Sequence, residues 1–207
     1  MERVRLRLVI RANPVATADP LRPVELKLAG RFNHRRTDPV VVPIVIRLDK
    51  VPAAAGLTAR TLGWANVDRW QVNSSGKMNI AADPRQRAVR VHVTFPPGVD
   101  HWIYPYLRLH RPAESLAKSV GLTFQVKSGP ITAGFNDSVL MAVTAKHSYF
   151  FPYRLSEHWR TVSIVWSVDA PPGFAPAQVR LLRIGCNPRQ NDFTYWVRRL
   201  KVYYRKP

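Results

Sequence analysis

Residues 89–109, VRVHVTFPPGVDHWIYPYLRL, contain two stretches in which apolar and polar side chains alternate. Successive side chains of a β-strand point to opposite faces of its sheet, so each stretch predicts a strand with one buried face. The sets assigned to the core are Val89, Val91, Val93 and Phe95, then Ile103, Pro105, Leu107 and Leu109. The sets on the opposite faces are Arg90, His92 and Thr94, then Trp102, Tyr104, Tyr106 and Arg108.

The same period of two recurs along most of the chain, and no helical period of the kind needed for βαβ units is found. The predicted strands are Val4–Ile10, Val24–Leu28, Val40–Leu48, Val67–Gln71, Met78–Ala81, Val89–Phe95, Ile103–Leu109, Leu122–Lys127, Val139–Ala145, Tyr149–Leu155, Val162–Trp166, Val179–Ile184 and Tyr195–Tyr204. The fold class predicted from them is all-β, an antiparallel β-sandwich or jelly roll.

A stretch with the composition of a linker, PAAAG at Pro52–Gly56, divides the chain. Residues 1–60 hold three predicted strands and are too short to bury much apolar surface alone. We interpret 1–60 as an Ig-like or fibronectin-like accessory β segment and 61–207 as the main module. Residues 1–14 alternate arginine with apolar residues, which is typical of a strand and not of a signal peptide. A chain that opens directly in a strand suggests excision from a longer protein.

The chain is strongly basic, with 32 Lys and Arg against 13 Asp and Glu and a formal net charge of +19. Twenty-four of the basic residues are arginines, and they are spread through strand patterns in both segments. Such a charge favours a polyanionic partner, whether nucleic acid, acidic polysaccharide or anionic lipid.

Several classes of protein are disfavoured. Cys186 is the only cysteine, which excludes an internal disulfide. No run of about 18 apolar residues exists, so no membrane span is predicted. The chain lacks P-loop, GxGxxG, GxSxG and HExxH motifs, and nothing marks a pair of carboxylates suited to glycoside hydrolysis. We therefore expect no enzyme activity within this chain.

The aromatic side of the second strand, Trp102 to Arg108, is the leading candidate for a binding site. Exposed rings in a row are unfavourable in water unless something covers them. Sugars stack their C–H faces on such rings, nucleic-acid bases stack on them as well, and the N-terminal segment is a third candidate to cover them. Three further candidates are Arg90, His92 and Trp159. The first two lie on the polar side of the first strand, and the third is opposite in parity to Trp166, which is assigned to the core.

Residues from about 62 to 204 resemble the carbohydrate-binding modules of the galactose-binding-like jelly-roll superfamily, which are appended to glycoside hydrolases. The resemblance rests on the order of the strand motifs that follow Gly63, Trp64 and Trp70. These motifs are AVRVHVTF, WIYPYLRLHRPAESLAKSVGLTFQVKS, VLMAVTA, HWRTVSIVW, VRLLRIGCN and DFTYWVRRLKVYY.

The resemblance implies a ligand face on one sheet or on the loops at one edge. It also implies a structural calcium ion, for which Asp68 and Asp192 are the candidate ligands. We therefore expect a non-catalytic polysaccharide-binding module of a secreted glycan-degrading enzyme, extracellular or periplasmic. The net charge of +19 favours an acidic or sulfated glycan. The alternatives are a nucleic-acid-associated basic β-protein and a structural interaction domain that meets an acidic neighbour in a larger assembly.

Overall fold

The computed structural model describes residues 24–28, 31–32, 35–36, 40–44, 56–109, 112–131 and 138–206, with side chains from residue 56 onward except that of Ala113. In the N-terminal part, strand β1 (Val24–Leu28) pairs antiparallel with β4 (Val40–Ile44), and β2 (Arg31–Phe32) pairs with β3 (Arg35–Arg36). The strands predicted at Val24 and Val40 are confirmed. The strand predicted at Val4–Ile10 lies outside the described residues.

The rest of the chain forms a two-sheet antiparallel sandwich, which confirms the predicted fold class. Its strands are β5 (Leu57–Thr61), β6 (Trp70–Gln71), β7 (Lys77–Asp83), β8 (Ala88–Thr94), β9 (Tyr106–Arg108), β10 (Ser119–Ser128), β11 (Ser138–Val143), β12 (Ser148–Tyr153), β13 (Arg160–Val165), β14 (Leu181–Cys186) and β15 (Asp192–Arg205). Sheet I has the order β13-β10-β15-β8-β7, with β5 also paired to β15. Sheet II has the order β12-β11-β14-β9-β6.

Strand β5 extends across the predicted domain boundary between residues 60 and 61, and it hydrogen-bonds to the last strand of the sandwich. Its register joins Leu57 to Arg205 and Thr61 to Lys201. The pairing places residues 57–61 with the sandwich. The division into segments 1–60 and 61–207 otherwise stays a prediction.

Helical structure is confined to short turns among the described residues. They are α1 (Trp166–Asp169) and the 3-10 turns Val67–Arg69, Pro112–Glu114 and Pro176–Gln178. None of the helices described is long and apolar enough to cross a membrane.

The core lies between the two sheets and is filled by alternate residues of every long strand. Val91 and Val93 of β8, Phe124 of β10 and Ile184 of β14 are fully buried, and each is followed or preceded by a more exposed neighbour or by a turn. Trp166, assigned to the core from its parity, is 8% exposed and donates its indole N–H to Ser119 Oγ at 2.8 Å.

Two buried tyrosines donate hydrogen bonds to β14 of sheet II, and the bond from Tyr195 links the two sheets. Tyr195 of sheet I donates its hydroxyl to the Ile184 carbonyl of sheet II at 2.7 Å, and Tyr153 donates to the Gly185 carbonyl at 3.2 Å. Burial raises the pKa of both phenols and of the buried Cys186 thiol well above their ordinary values. The protonated forms are therefore the ones that fit the core.

We expect the free energy of unfolding to fall as pH rises above the ordinary thiol and phenol pKa values of 9.0 and 10.0. The unfolded chain releases protons in that range while the folded chain keeps them, so alkaline pH favours the unfolded state. In urea titrations, the Tyr153→Phe/Tyr195→Phe variant should lose less stability between neutral and alkaline pH than the unchanged protein. Tyr203→Phe, on the outer side of sheet I, serves as the control. Equal losses in all three proteins would contradict the assignment.

Candidate functional site

Trp102, Tyr104, Tyr106 and Arg108 lie on the outer side of sheet II, where their alternation places them. Between them, Ile103 and Leu107 are fully buried and Pro105 is buried too, whereas the four outer residues are exposed or half-buried. Only Tyr106–Arg108 form a regular strand, because the segment before it joins the sheet through single bridges. Ile103 bridges Ser74 on one side and Cys186 on the other.

Hydrogen bonds hold the segment around Tyr104 in place. The Tyr104 amide donates to the Asn73 carbonyl at 2.8 Å, and Asn73 Nδ2 donates back to the Tyr104 carbonyl at 3.0 Å. The Tyr104 hydroxyl donates to Asn187 Oδ1 at 2.6 Å. The rings of Tyr104 and Trp102 stack with centroids 6.4 Å apart. These two rings are therefore positioned by the protein itself.

Gly185 makes room for this arrangement. A methyl group at its Cα would overlap the Ile103 carbonyl oxygen and lie 2.5 Å from Tyr104 Cδ1. Residue 185 thus has to be glycine for the segment around Ile103 and Tyr104 to lie against β14.

Two guanidinium groups flank Tyr106. The Cζ atoms of Arg108 and Arg183 lie 5.3 and 6.0 Å from the centre of its ring. Arg183 Nε is buried and has no hydrogen-bond partner in the part of the chain that the structure describes. We call Trp102, Tyr104, Tyr106, Arg108 and Arg183 the aromatic face.

Arg183 was not among the predicted site residues. The signal was present in the sequence, because Arg183 stands between the apolar residues Leu182 and Ile184 in an alternating stretch. Its position beside Tyr106 depends on the pairing of β14 with β9, in which Arg183 lies opposite Tyr106. Alternation alone does not reveal that pairing.

The aromatic face continues into an apolar area over β11 and β12. A row of paired outward residues crosses all five strands of sheet II through Phe150, Met141, Arg183, Tyr106 and Gln71. Phe150 is 56% exposed. At the usual strand spacing the row is about 19 Å long. The row thus contains two rings, Phe150 and Tyr106, and one cation, Arg183, with Met141 between Phe150 and Arg183 and Gln71 at the β6 end.

The other three predicted binding residues lie on the opposite side of the sandwich. Arg90 and His92 are on the outer side of β8 in sheet I, and Trp159 directly precedes β13 of the same sheet. His92 Nδ1 lies 2.9 Å from Thr194 Oγ1 and 3.7 Å from Asp192 Oδ1. The structure therefore divides the predicted residues between two faces instead of gathering them into one site.

The outer side of sheet I also holds aromatic and basic residues that were not predicted as a group. Lys127 Nζ lies 4.7 Å from the centre of the Trp196 ring and 5.5 Å from that of Trp159. Arg198 Cζ lies 3.8 Å from the Trp159 ring centre. We call Lys127, Trp159, Trp196 and Arg198 the basic platform. The sequence signal was the alternation of β15, in which Trp196 lies between the buried residues Tyr195 and Val197, and Arg198 follows Val197.

The two predicted calcium ligands have separate surroundings. Asp68 is exposed, and its amide N–H donates to Asn66 Oδ1 at 3.0 Å. Asp192 is exposed at the start of β15, beside His92 and Thr94. Within the described ranges, no three His, Cys, Asp or Glu side chains are grouped so that they could hold a metal ion. A calcium ion held by Asp68 and Asp192 stays a prediction.

Comparison with known proteins gives a match in fold. No protein-family model matches the sequence, and no curated protein does. Among solved structures, the family 11 carbohydrate-binding module from Clostridium thermocellum, in complex with a β-1,3-1,4-mixed-linked tetrasaccharide, aligns with a TM-score of 0.50 and 15% identity. The alignment covers 70% of this chain and 94% of that one. The sandwich has the jelly-roll fold of a carbohydrate-binding module.

The resemblance inferred from the order of the strand motifs is thus confirmed at the level of the fold. The family 30 carbohydrate-binding module of a Clostridium thermocellum cellulosomal cellulase also aligns, with a TM-score of 0.43 and 16% identity. That alignment covers 65% of this chain and 90% of the module.

We expect Gly185→Ala to lower the free energy of unfolding by about 1–3 kcal/mol, because the new methyl forces backbone apart in a packed sheet. The measurement is urea denaturation at neutral pH. Gly129→Ala is the matched control, since an added Cβ there would meet only the Thr194 carbonyl oxygen, at 3.6 Å. Equal stability of the two variants would contradict the packing role of Gly185.

Proposed function

We propose that this chain is a non-catalytic polysaccharide-binding module whose ligand lies across the aromatic face of sheet II. The observation that carries the proposal is the row of outward residues crossing that sheet, with Tyr106 between Arg108 and Arg183. Aromatic rings stack on the C–H faces of sugars, while guanidinium groups donate hydrogen bonds to sugar oxygens. Both kinds of contact are available along a single line.

The shape of this face suits an extended chain more than a small compact ligand. Its row of residues spans about 19 Å at ordinary strand spacing, which accommodates several linked sugars. The positions of Trp102 and Tyr104 beside this row extend the aromatic surface at the β9 edge. The family 11 module of the same fold has been solved with a tetrasaccharide, which supports an oligosaccharide as the ligand here.

The described carboxylates support a non-catalytic module because many of them hold structure. Glu114 accepts from Arg69 Nη2 at 2.7 Å, and Asp169 accepts from the Val165 amide at 2.9 Å. Glu157 accepts from the Ile131 amide at 3.1 Å, and Asp83 accepts from the Trp196 indole at 2.9 Å. Glycoside hydrolysis requires two carboxyl groups directed at one bond, and these four are directed at protein groups.

We further propose that the preferred glycan is acidic or sulfated. Arginine pairs with carboxylate and sulfate groups through short, charge-assisted hydrogen bonds. Arg108 and Arg183 stand beside the central ring of the aromatic face, and the chain carries a net charge of +19. An accessory role in a secreted glycan-degrading enzyme is consistent with such a module and is part of the same proposal.

Trp102→Ala and Tyr104→Ala should each abolish retention on neutral polysaccharide without unfolding the protein, because both rings are half-exposed and outside the core. Affinity electrophoresis in gels containing a panel of neutral and acidic polysaccharides measures the retention. Tyr203→Ala, which removes an outer tyrosine of the other sheet, is the matched control. Normal retention of both aromatic-face variants would show that the ligand binds elsewhere.

Affinity for the acidic polysaccharide should fall as NaCl is raised from about 0.05 to 1 M, because screening shortens the Debye length to about 3 Å at the upper limit. Isothermal titration calorimetry at several salt concentrations measures the slope. Affinity for a neutral polysaccharide should change little and serves as the control. An affinity for the acidic chain that stays constant with salt, or preferential binding of single-stranded RNA, would contradict the acidic-glycan preference.

A further inference from the structure

The basic platform on sheet I is a layered arrangement in which cations and indole rings alternate. Lys127 Nζ lies over the Trp196 ring and also faces the Trp159 ring. The Arg198 guanidinium lies over the Trp159 ring as well. The register of the sheet brings them together, because Lys127 pairs with Trp196 and Gln125 pairs with Arg198 across β10 and β15. Four side chains from three separate stretches of sequence thus form one surface.

Hydrogen bonds to neighbouring residues hold Trp196 and Arg198, two of the four members of the platform, in place. The Trp196 indole N–H donates to Asp83 Oδ2 at 2.9 Å, and Asp83 Oδ1 accepts from the Gln86 amide at 3.0 Å. Arg198 Nε donates to Gln125 Oε1 at 2.8 Å, and Arg198 Nη1 donates to the Gln86 carbonyl at 3.1 Å. A surface whose side chains are already positioned loses little conformational entropy when a ligand binds.

The two cations of the platform keep their charge without a carboxylate partner among the described residues. Cation–π contact attracts a cation to a ring but leaves the positive charge in place, unlike a salt bridge. Lys127 Nζ and Arg198 Nη2 make no hydrogen bond to a described residue, so their N–H groups remain available to a ligand.

The surroundings add further positive charge. Arg90 pairs with Trp196 across β8 and β15, and Arg160 directly follows Trp159. Burial, and then the neighbouring charge of Arg199, lower the pKa of Arg198. Among the described residues, the carboxylate that contacts the platform is Asp83. The hydrogen bonds that it accepts from the Gln86 amide and the Trp196 indole lower its pKa. An anion placed over Lys127 and Arg198 would therefore meet an excess of positive charge.

We propose that the basic platform is a second binding face, on the opposite side of the sandwich from the aromatic face, which takes the sulfate or carboxylate groups of an acidic polysaccharide. The anionic group accepts from Lys127 Nζ and Arg198 Nη2, and the sugar that carries it lies against the exposed edges of Trp159 and Trp196. The choice of a polysaccharide as the source of the anion rests on the proposed function. The anion site itself rests on the platform alone.

Two faces on opposite sides of one module would let it contact two polysaccharide chains at once. Such bivalent attachment raises retention on a dense polysaccharide far more than it raises affinity for a short oligosaccharide. The platform would thus add selectivity for charge to a module whose aromatic face stacks on sugar rings.

The test uses calorimetric titration of the full chain with two probes, a short sulfated oligosaccharide and a short neutral β-glucan oligosaccharide. The Lys127→Gln/Arg198→Gln variant should bind the sulfated probe about tenfold more weakly or worse, and it should bind the neutral probe as before. The matched control, Lys77→Gln/Lys201→Gln, removes the same charge from exposed positions of the same sheet and should change the sulfated affinity by less than about twofold. If both variants lose the same affinity for the sulfated probe, the platform proposal is wrong, and the probe is attracted by the overall positive charge of the protein.

Lys127→Gln alone keeps the test valid if the double variant fails to fold, because Lys127 makes no hydrogen bond to a described residue that would be lost. Thermal melts establish which variants are folded.

The Trp102→Ala and Tyr104→Ala variants separate the two proposals. If they lose the neutral probe while the platform variant still binds the sulfated probe normally, the platform proposal fails and the proposed function stands. If they bind the neutral probe normally while the platform variant loses the sulfated probe, the proposed function fails and the platform proposal stands. Displacement of the sulfated probe by a lower concentration of single-stranded RNA would overturn a polysaccharide as the ligand of the platform.

Discussion

Strand β15 is the element on which the rest of the sandwich depends, because it hydrogen-bonds to β10 along one edge and to β8 and then β5 along the other. Strict alternation over 14 residues would keep one register throughout. Arg199, with a φ of 55°, inserts a residue so that Val197 and Leu200 both point into the core. A bulge of this kind bends a strand and lets its two halves pair with different partners. The inner residues of β15 complete the core, and its outer residues supply Trp196 and Arg198 to the basic platform.

The two outer faces of the sandwich differ in chemistry although both are rich in rings and cations. On sheet II, Tyr106 is half-exposed between two arginines, and Phe150 extends the surface as an apolar area. On sheet I, the indoles of Trp159 and Trp196 are covered by cations, and the Trp196 indole is also held by its hydrogen bond to Asp83. The first face offers rings for stacking, and the second offers positive charge held in place by rings. A polysaccharide with anionic substituents is a ligand class that can use both.

The scarcity of acidic residues explains how so much positive charge stays available. Several of the described carboxylates already accept from arginine, indole or backbone donors, as Glu114, Asp83 and Asp169 do. Few remain to neutralise arginines and lysines on the outer sides of the sheets. The positive charges of Lys127, Arg108 and Arg198 therefore remain on the outer sides of the two sheets, without a salt bridge to a described carboxylate.

The sequence by itself determined the fold class and the outward position of Trp102, Tyr104, Tyr106 and Arg108, because side-chain direction in a strand follows from the local period of two. It also pointed to the fold family through the order of its strand motifs. Only the tertiary structure decided that Arg90, His92 and Trp159 lie on the other side of the sandwich, and that Arg183 stands beside Tyr106. Both outcomes depend on which distant strands pair and in what register. Long-range pairing is selected by packing of the whole core, so no local pattern contains it.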